Sequence, residues 1–217
     1  MDPFLLHAWC MALAWLLLAP LGILAARFFK IRPGQDWPAH TDDQVWWWTH
    51  RVCQWGTVLL ATLGFVLLWR ALGGAVATSP HAWLGGFVLV FAWLQVVSTW
   101  LRGSKGGPRD AHADPADPST WRGDHYDMTP RRRLFEAWHK HVGYAVLLAA
   151  WDTILLGLDR LALPLWWGIA PMLAFAALFV LLERLGWRRD TWQAIFGPGP
   201  PPGRHDDQKA SIREAER

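Results

Sequence analysis

The sequence predicts an all-α membrane protein that crosses the bilayer five times. Of its 217 residues, 53% are hydrophobic, and these are collected into long uncharged blocks. The charged residues, 18% of the total, lie mainly in the stretches between the blocks. No stretch shows the alternation of polar and apolar residues that is typical of a barrel strand. Because a backbone inside a bilayer must satisfy its own hydrogen bonds, helices are the remaining way to span it.

The first three apolar blocks have the length of a membrane-spanning helix, which is about 20 residues for a hydrocarbon core about 30 Å thick. The predicted helices cover about residues 4–28, 45–73 and 80–102. The first block is interrupted only by His7 and Pro20. The second is uncharged from Val52 to Trp69, and the third runs from His81 to Leu101.

The last two blocks predict helices over about residues 135–158 and 161–186. The fourth contains a single acid, Asp152, and the fifth ends at Glu183. Residues 1–190 therefore form one predicted transmembrane domain. The connection 103–133 is rich in Gly, Pro and Asp, which predicts a long mobile loop. Residues 191–217 contain GPGPPPG followed by charged residues, which predicts a disordered tail.

The distribution of Lys and Arg predicts the orientation in the membrane. When each loop is counted with its flanking helix ends, 19 of the 21 basic residues lie on one face. Only Arg70 and Arg160 lie on the other face. Basic loops stay in the cytoplasm, so the N-terminus is predicted outside and the C-terminus, with the loop 103–133, inside. An integral multi-pass protein of the plasma (inner) membrane, surrounded by lipid, is expected.

Several other classes of protein are excluded. The basic residues flank apolar blocks and do not line one polar face, so the formal charge of +3 indicates topology and not a nucleic-acid partner. The two cysteines, Cys10 and Cys53, lie in apolar stretches and support neither a disulfide framework nor a zinc site. The N-terminus lacks the basic region of a secretory signal peptide.

Five of the nine histidines stand at the start of an apolar block. His7, His50 and His81 open the first three blocks, and His139 and His141 both open the fourth. The predicted orientation places His7 with His81 near the outer face and the others near the inner face. Two imidazoles from facing helices are what axial ligation of a haem iron requires, so two sites, one at each face, are favoured. Zinc fits a two-histidine site less well, because it takes four ligands.

The local sequences pair the helices in a weak parallel repeat. The letters H-A-W occur at His7 and again at His81. A histidine followed by a cation occurs at His50 and again at His139. Helices one and two therefore match helices three and four, as in repeats related by an axis along the membrane normal.

The fourth helix offers two candidate ligands. Gly85 follows His81 by four residues, and Gly143 follows His139 by four residues. A glycine one turn on leaves room for a flat macrocycle against the backbone. His141 has no glycine at this offset, so His139 is favoured as the ligand.

Polar residues beside the inner histidines extend the candidate site. Arg51 and Lys140 each follow a candidate ligand directly, and Arg27 ends the first helix. These cations could bind the propionates of a haem or contact lipid phosphates. Gln54, one turn after His50, could line the inner pocket or face a neighbouring helix. No residue is assigned a catalytic role.

The outer face offers fewer polar groups. Arg70 and Arg160 are the cations available to a propionate there. Asp152 lies about 20 Å along the helix from His139, at 1.5 Å per residue, towards the outer face. It could pair with Arg160 or relay a proton near the outer site. The opening histidines could instead relay protons or anchor helices at the interface.

With these residues in view, the chain resembles the cytochrome b561 family, and in particular the five-helix haem core that follows a DOMON domain in many proteins. The matching stretches are HAWCMALAWLLLAPLGILAARFFK, HRVCQWGTVLLATLGF, HAWLGGFVLVFAWLQ and RRRLFEAWHKHVGYAVLLAAWDTILLGL. They begin at His7, His50, His81 and Arg131, and the resemblance covers roughly residues 4–190. The expectation from these residues is a core without a DOMON domain before it. The sixth helix and the cytoplasmic ascorbate-binding motif of the ascorbate-using members have no match.

The resemblance implies two non-covalent b-type haems in a bundle of the first four helices, and electron transfer across the membrane. The family's ligand positions fall on His7, His50, His81 and His139. The expected function is a diheme cytochrome with one haem near each face, the outer on His7 and His81. The lack of a CxxCH motif agrees with haem that is not covalently attached.

Two other functions are kept as alternatives. A terminal oxidoreductase on the same scaffold would reduce ferric iron, or exchange electrons with quinone or superoxide, at one face. A haem-free transporter or assembly factor would use the histidines in another way. The electron donor and acceptor are expected to be a small molecule, a quinone or a separate redox protein, and a homodimer stays open.

Overall fold

Five long helices make up most of the computed structural model, which describes residues 2–75 and 78–202. We number them α1 (Pro3–Phe28), α2 (Val45–Ala71), α3 (Pro80–Arg102), α4 (Pro130–Arg160) and α5 (Trp166–Arg184), and add the short α6 (Thr191–Phe196). The described residues contain no strand. Each of the five long helices has the length and apolar composition needed to cross a membrane. The predicted all-α class with five spanning helices is confirmed.

The helix ends follow local sequence signals. The carboxylate of Asp2 caps α1 by accepting the backbone N–H of Phe4 at 2.8 Å. Helix α4 begins at Pro130, five residues before the predicted start, because the fixed φ and missing N–H of proline suit a first helical turn. Helix α5 begins at Trp166, later than predicted, because the preceding residues form a turn in which Ala162 has a φ of 51°.

Helix α1 contains a π-helical turn at Leu13–Leu18. Pro20 follows closely and has no N–H to donate to the preceding turn. A local π-helical adjustment is one of the ways in which a membrane helix tolerates such a proline.

The first of two compact units comprises the chain up to Lys30, Gln44–Val96 and His141–Arg188. Small side chains from α1 to α4 let the helix backbones approach closely, as is usual within membranes. The core of this first unit consists of Ala14, Trp15, Ala19, Val58, Ala61, Val88, Ala92, Val146, Leu147 and Ala150. Two interior indoles are satisfied: Trp151 Nε1 donates to the Trp15 carbonyl at 3.0 Å, and Trp93 Nε1 donates to Thr62 Oγ1 at 3.1 Å.

The outer surfaces of these helices carry large exposed apolar side chains. Val52 is 67% exposed, Trp83 is 70% exposed and Leu173 is 64% exposed. Apolar surface on this scale is unusual for a soluble monomer but suits contact with lipid.

The second compact unit comprises Ile31–Asp43, Val97–Lys140 and the chain from Arg189 on. In the stretch predicted as a mobile loop, backbone hydrogen bonds join separate segments. Gly107 N–H donates to the Arg122 carbonyl at 3.1 Å, and His125 N–H donates to the Ser104 carbonyl at 3.1 Å. Gly106 has a φ of +68°, and a Cβ there would lie 2.1 Å from the Arg122 carbonyl oxygen, so only glycine fits.

Helix α6 lies in the stretch that was predicted as a disordered tail. The Asp190 carboxylate begins it by accepting the N–H groups of Trp192 at 2.8 Å and Gln193 at 3.3 Å. Trp192 then donates its indole N–H to the Tyr126 carbonyl at 2.9 Å, which ties α6 to the loop. The prediction for residues 203–217 lies outside the described residues.

His125 is buried inside this second unit. Its side chain is 5% exposed and its ring lies edge-on to the Phe196 ring at a centroid distance of 5.5 Å. Burial, reinforced by the nearby charge of Arg132, lowers the pKa of His125 from its ordinary 6.5 to about 3. The imidazole is therefore neutral at physiological pH.

Acidification is expected to destabilise the second unit through His125. In the unfolded chain this imidazole takes up a proton near pH 6.5, whereas in the folded unit it does so near pH 3. The unfolded state therefore binds more protons in this window, and the stabilisation present above pH 6.5 is lost progressively as the pH falls towards 3. Limited proteolysis of the loop in detergent at pH 7.5 and pH 5 measures this change.

In the variant His125→Gln, the rate of proteolysis of the loop is expected to differ much less between pH 7.5 and pH 5 than in the wild type. His112→Gln is the matched control, because His112 is an exposed histidine of the same loop. An unchanged pH dependence in His125→Gln would count against this assignment.

Candidate functional site

Helices α1 and α3 bring His7 and His81 side by side in the first unit. Their ring centroids lie 6.2 Å apart and their planes are inclined by 76°. Both side chains are half-buried. These are the two histidines that the sequence assigns to the outer site.

Each of the two rings is held by a backbone carbonyl of another helix. His7 Nδ1 lies 3.1 Å from the Gly64 carbonyl oxygen on α2. His81 Nδ1 lies 2.9 Å from the Thr153 carbonyl oxygen on α4. A carbonyl oxygen can only accept, so Nδ1 carries the hydrogen in both rings and Nε2 keeps its lone pair. This is the tautomer in which Nε2 can bind a metal.

His50 shows the same arrangement at the start of α2. Its Nδ1 lies 2.9 Å from the Gly22 carbonyl oxygen on α1. The hydrogen is again on Nδ1, so Nε2 is the nitrogen with ligand character. Three candidate ligands on three helices thus share one tautomer, set in each case by a backbone acceptor.

The distance between the rings of His7 and His81 is compatible with a metal ion between two imidazoles. Two imidazoles on opposite sides of one metal, with metal–nitrogen bonds of about 2 Å, have ring centroids roughly 6 Å apart. The separation of 6.2 Å between His7 and His81 agrees with this geometry. No group of three or more His, Cys, Asp or Glu side chains within residues 2–75 and 78–202 could hold a metal ion. The candidate ligands here are the two imidazoles of His7 and His81, and a haem iron has two coordination positions available to protein ligands.

Close packing on glycines presents the acceptor carbonyls to the rings. A Cβ on Gly64 would lie 2.7 Å from Cys10 Cβ, and a Cβ on Gly157 would lie 3.0 Å from His81 Cε1. A Cβ on Gly22 would lie 2.5 Å from Gln54 Nε2. Without side chains at these positions the helices approach closely enough for a ring on one to reach the backbone of the other.

The two acceptors of the outer pair occupy equivalent places in the two halves. Gly64 lies fourteen residues after His50 on α2, and Thr153 lies fourteen residues after His139 on α4. His141 is only twelve residues before Thr153. This spacing gives His139, and not His141, the place on α4 that His50 has on α2.

His139 itself lies on the first part of α4, in the second unit. It is half-buried, and its ring stacks on that of Phe135, one turn earlier, at 5.3 Å and 19°. Lys140 donates from Nζ to Glu136 Oε2 at 2.7 Å, so its charge already has an acidic neighbour.

The polar residues predicted beside His50 make their contacts with other groups of the first unit. The exposed Arg51 guanidinium lies over the rings of Trp47 and Trp48, at 5.6 and 5.0 Å from their centroids. Gln54 donates from Nε2 to the Ala19 carbonyl at 3.2 Å and so faces helix α1.

Few atoms lie close to Gly85 and Gly143, the two glycines that the sequence predicts to leave room for a macrocycle. A Cβ on Gly85 would meet only Thr153 Cγ2, at 3.5 Å. A Cβ on Gly143 would meet only Gln95 Oε1, at 4.0 Å. Both positions therefore have space beside the helix in the described part of the chain.

Near the C-terminal end of α4, Asp152 and Arg160 do not form the ion pair that the sequence offers as one possibility. Asp152 is exposed and makes no ion pair with Arg160. It lines an open depression of about 400 Å³ together with Leu155, Leu156, Asp159 and Leu165. The charge of Arg160 lies close enough to His81 to act on it electrostatically.

Arg27 ties three helices together at the end of α1. Its Nε donates to Glu183 Oε2 on α5 at 3.0 Å, and its Nη1 donates to the Tyr144 hydroxyl on α4 at 3.3 Å. The guanidinium also lies 4.8 Å from the ring centroid of Phe179. This contact set holds α5 against the bundle.

Sequence reasoning missed the acceptors of the imidazole hydrogens, namely the carbonyls of Gly22, Gly64 and Thr153. Every residue has a carbonyl, so the residue type carries no signal for this role. The glycines Gly22, Gly64 and Gly157 are a partial signal, because a glycine inside a spanning helix often marks a close helix contact.

Comparison with known proteins finds distant relatives of two kinds. A cytochrome b561, DM13 and DOMON domain-containing protein of Arabidopsis thaliana is 27% identical over 155 residues, or 71% of this chain. A cytochrome b561 and DOMON domain-containing protein of the same plant is 26% identical over 198 residues, or 88% of this chain. Human ferric-chelate reductase 1 is 28% identical over 180 residues, or 82% of this chain.

The chain spans only 14%, 36% and 26% of the length of these three relatives. No protein-family model matches the chain, and no solved structure matches it. The relatives, together with the five helices of spanning length, identify the chain as an integral membrane protein related to cytochrome b561 domain proteins.

Proposed function

We propose that this chain, a distant relative of cytochrome b561 domain proteins and of ferric-chelate reductases, is a b-type cytochrome that carries electrons across the membrane. The names of its relatives support haem and electron transfer. The observation that carries the proposal is the imidazole pair of His7 and His81, whose centroids lie 6.2 Å apart. Both rings have their hydrogen directed to a backbone carbonyl, which leaves Nε2 as a metal ligand.

Two haems are assigned. His7 and His81 would hold the outer one. His50 and His139 are assigned to the cytoplasmic one from their places in the sequence repeat and from the shared fourteen-residue spacing. A haem held by two such imidazoles would supply one-electron redox chemistry at an iron that does not readily bind oxygen.

The residues of the chain prepare these sites in three ways. The carbonyls of Gly22, Gly64 and Thr153 fix the tautomer and the orientation of three imidazoles. Gly85 and Gly143 are proposed to give a flat ring access to the backbone of α3 and α4, because a Cβ at either position would meet a single atom within 4 Å. The packed core of the first unit, which takes residues from α1, α2, α3 and α4, holds the helices that carry the histidines together.

The propionates of the haems need cations or hydrogen-bond donors. Arg51 and Lys140 are assigned to the cytoplasmic haem, and Arg160 to the outer one, because each lies beside a ligand in sequence or in space. Lys140 would share its charge between a propionate and Glu136, which it already contacts. Arg51 would bind a propionate in addition to its cation–π contacts with Trp47 and Trp48, which use none of its N–H groups as hydrogen-bond donors to oxygen.

The orientation is part of the proposal. The concentration of 19 of 21 basic residues on one face supports an outer N-terminus and a cytoplasmic C-terminus in the plasma (inner) membrane. The donor and acceptor are proposed to be a small molecule, a quinone or a separate redox protein.

A second candidate function is ferric reduction at one face. It is favoured by the names of the vertebrate relatives, which are ferric-chelate reductases. In this case electrons would leave the protein at the outer site to a ferric chelate and not to another redox protein.

The purified protein is expected to contain two b-type haems per chain and to pass electrons through a sealed bilayer. A pyridine haemochrome assay counts the haems. Liposomes that enclose ferricyanide, supplied outside with membrane-impermeant dithionite, measure the transfer, and ferric nitrilotriacetate in place of ferricyanide tests ferric reduction.

Protein-free liposomes and the double variant His7→Ala/His81→Ala are the controls, and both should be inactive. Absence of haem from the wild type, after expression with an adequate haem supply, would defeat the proposed function. Transfer no faster than in empty liposomes would do the same for the transmembrane role.

A further inference from the structure

The ring of His81 is confined on two sides by helix α4. Its Nδ1 donates to the Thr153 carbonyl oxygen at 2.9 Å. One turn further along α4, a Cβ on Gly157 would lie 3.0 Å from Cε1 of the ring, 3.4 Å from Nδ1 and 3.9 Å from Nε2. Gly157 therefore leaves the space that the ring needs in order to reach the carbonyl.

We infer that the Thr153 carbonyl and the gap left by Gly157 position His81 and set its strength as an electron donor to the outer iron. The inference rests on the proposed function, because it assumes that His81 is a ligand. Thr153 and Gly157 act through His81 and touch no haem in this account, so both are positioning residues.

The hydrogen bond determines the donor strength of the imidazole. An Nδ1–H group that donates to a strong acceptor makes the other nitrogen more basic and the ring a better ligand. A more strongly donating axial ligand favours the oxidised iron, so it lowers the reduction potential. Loss of this hydrogen bond therefore raises the potential of the haem that His81 serves.

Space at Gly157 controls the hydrogen bond because the His81 ring is the group that must move when a methyl group is added at this position. A methyl group at this position would be attached directly to the α4 backbone, and the atoms opposite belong to the imidazole itself. The ring would have to move by a few tenths of an ångström, which changes its position relative to the Thr153 oxygen. Gly86, on the same helix as His81, is different, because a Cβ there would meet nothing within 4 Å.

The variants Gly157→Ala and Gly86→Ala in the full-length haem-loaded protein test the inference. Each replaces a helical glycine by alanine, but only the first reaches His81. We expect Gly157→Ala to keep both haems, to raise the midpoint potential of one of the two components and to shift its low-spin EPR signal. The other component should stay at its wild-type potential, and Gly86→Ala should match the wild type in both.

Wild-type potentials and EPR signals for both components of Gly157→Ala would overturn the inference while leaving the proposed function intact. A wild type without haem would overturn both. If Gly157→Ala does not accumulate, NMR of the reduced, diamagnetic wild type with ¹⁵N-labelled histidine decides. An Nδ1–H proton of His81 that is protected from exchange supports the inference, and a freely exchanging one overturns it.

Discussion

Replacing His81 by alanine is expected to remove one of the two haems from the purified protein and to leave the other in place. His7→Ala should remove the same haem, because the two imidazoles lie 6.2 Å apart and would serve one iron. The double variant should then be no worse than either single one. The pyridine haemochrome assay gives the haem content, and a redox titration shows which component remains.

His112→Ala is the control for these variants, since His112 is exposed in the loop and is expected to leave both haems in place. If His7→Ala and His81→Ala removed different components, the two histidines would belong to different sites and the outer pair would be wrong. An equal loss of both haems in either variant would point to unfolding, which circular dichroism detects.

The same assay decides between the two histidines at the start of α4. His139→Ala should remove the component that His50→Ala removes, and His141→Ala should keep both haems. The fourteen-residue spacing between His139 and Thr153, which matches that between His50 and Gly64, is the reason for this expectation. The reverse result would transfer the ligand role to His141 and end the equivalence of the two halves.

Gly64→Ala is expected to cause a large loss of stability in the first unit. The new Cβ would lie 2.7 Å from Cys10 Cβ, and both atoms are attached directly to helix backbones. Since neither can rotate away, α1 and α2 must separate, which also lengthens the 3.1 Å contact between His7 and the Gly64 carbonyl. Overpacking of this kind costs about 1–3 kcal/mol or more. Thermal unfolding in detergent and the occupancy of the outer haem measure the two effects.

Cys10→Gly in the Gly64→Ala background is expected to restore much of the loss, because it removes the opposing Cβ. The recovery should be incomplete, since glycine within a helix costs about 1 kcal/mol relative to alanine. Wild-type stability and haem content in Gly64→Ala alone would show that the two helices are not in the close contact described above. Gly86→Ala, at an open position on α3, controls for the substitution itself.

The spanning helices were predictable because the length of an uncharged apolar block is enough to identify a helix that crosses the membrane. Their ends were harder, since α4 begins at Pro130 within a polar stretch whose helical start depends on the proline and not on hydrophobicity. In the loop, Gly103, Gly106 and Gly107 each adopt a positive φ, and the Gly107 N–H donates to the Arg122 carbonyl. A composition rich in glycine does not indicate which segments of a loop pair in this way.

For the candidate site, the sequence supplied the histidines and not their partners. His7 and His81 could be paired because each opens a helix that starts on the same side of the membrane. The carbonyls that orient them could not be chosen, because the choice depends on which helices touch. Charged residues had the same difficulty: Arg27 was a candidate for a propionate, and the structure gives it Glu183 and Tyr144 as neighbours.

The equal spacing in the two halves also limits where such a chain can gain or lose residues over time. One residue inserted between His50 and Gly64 would turn the acceptor carbonyl by about 100° around α2 and move it about 1.5 Å along the axis, away from His7. The same holds between His139 and Thr153. Length variation among distant homologues should therefore lie outside these two intervals.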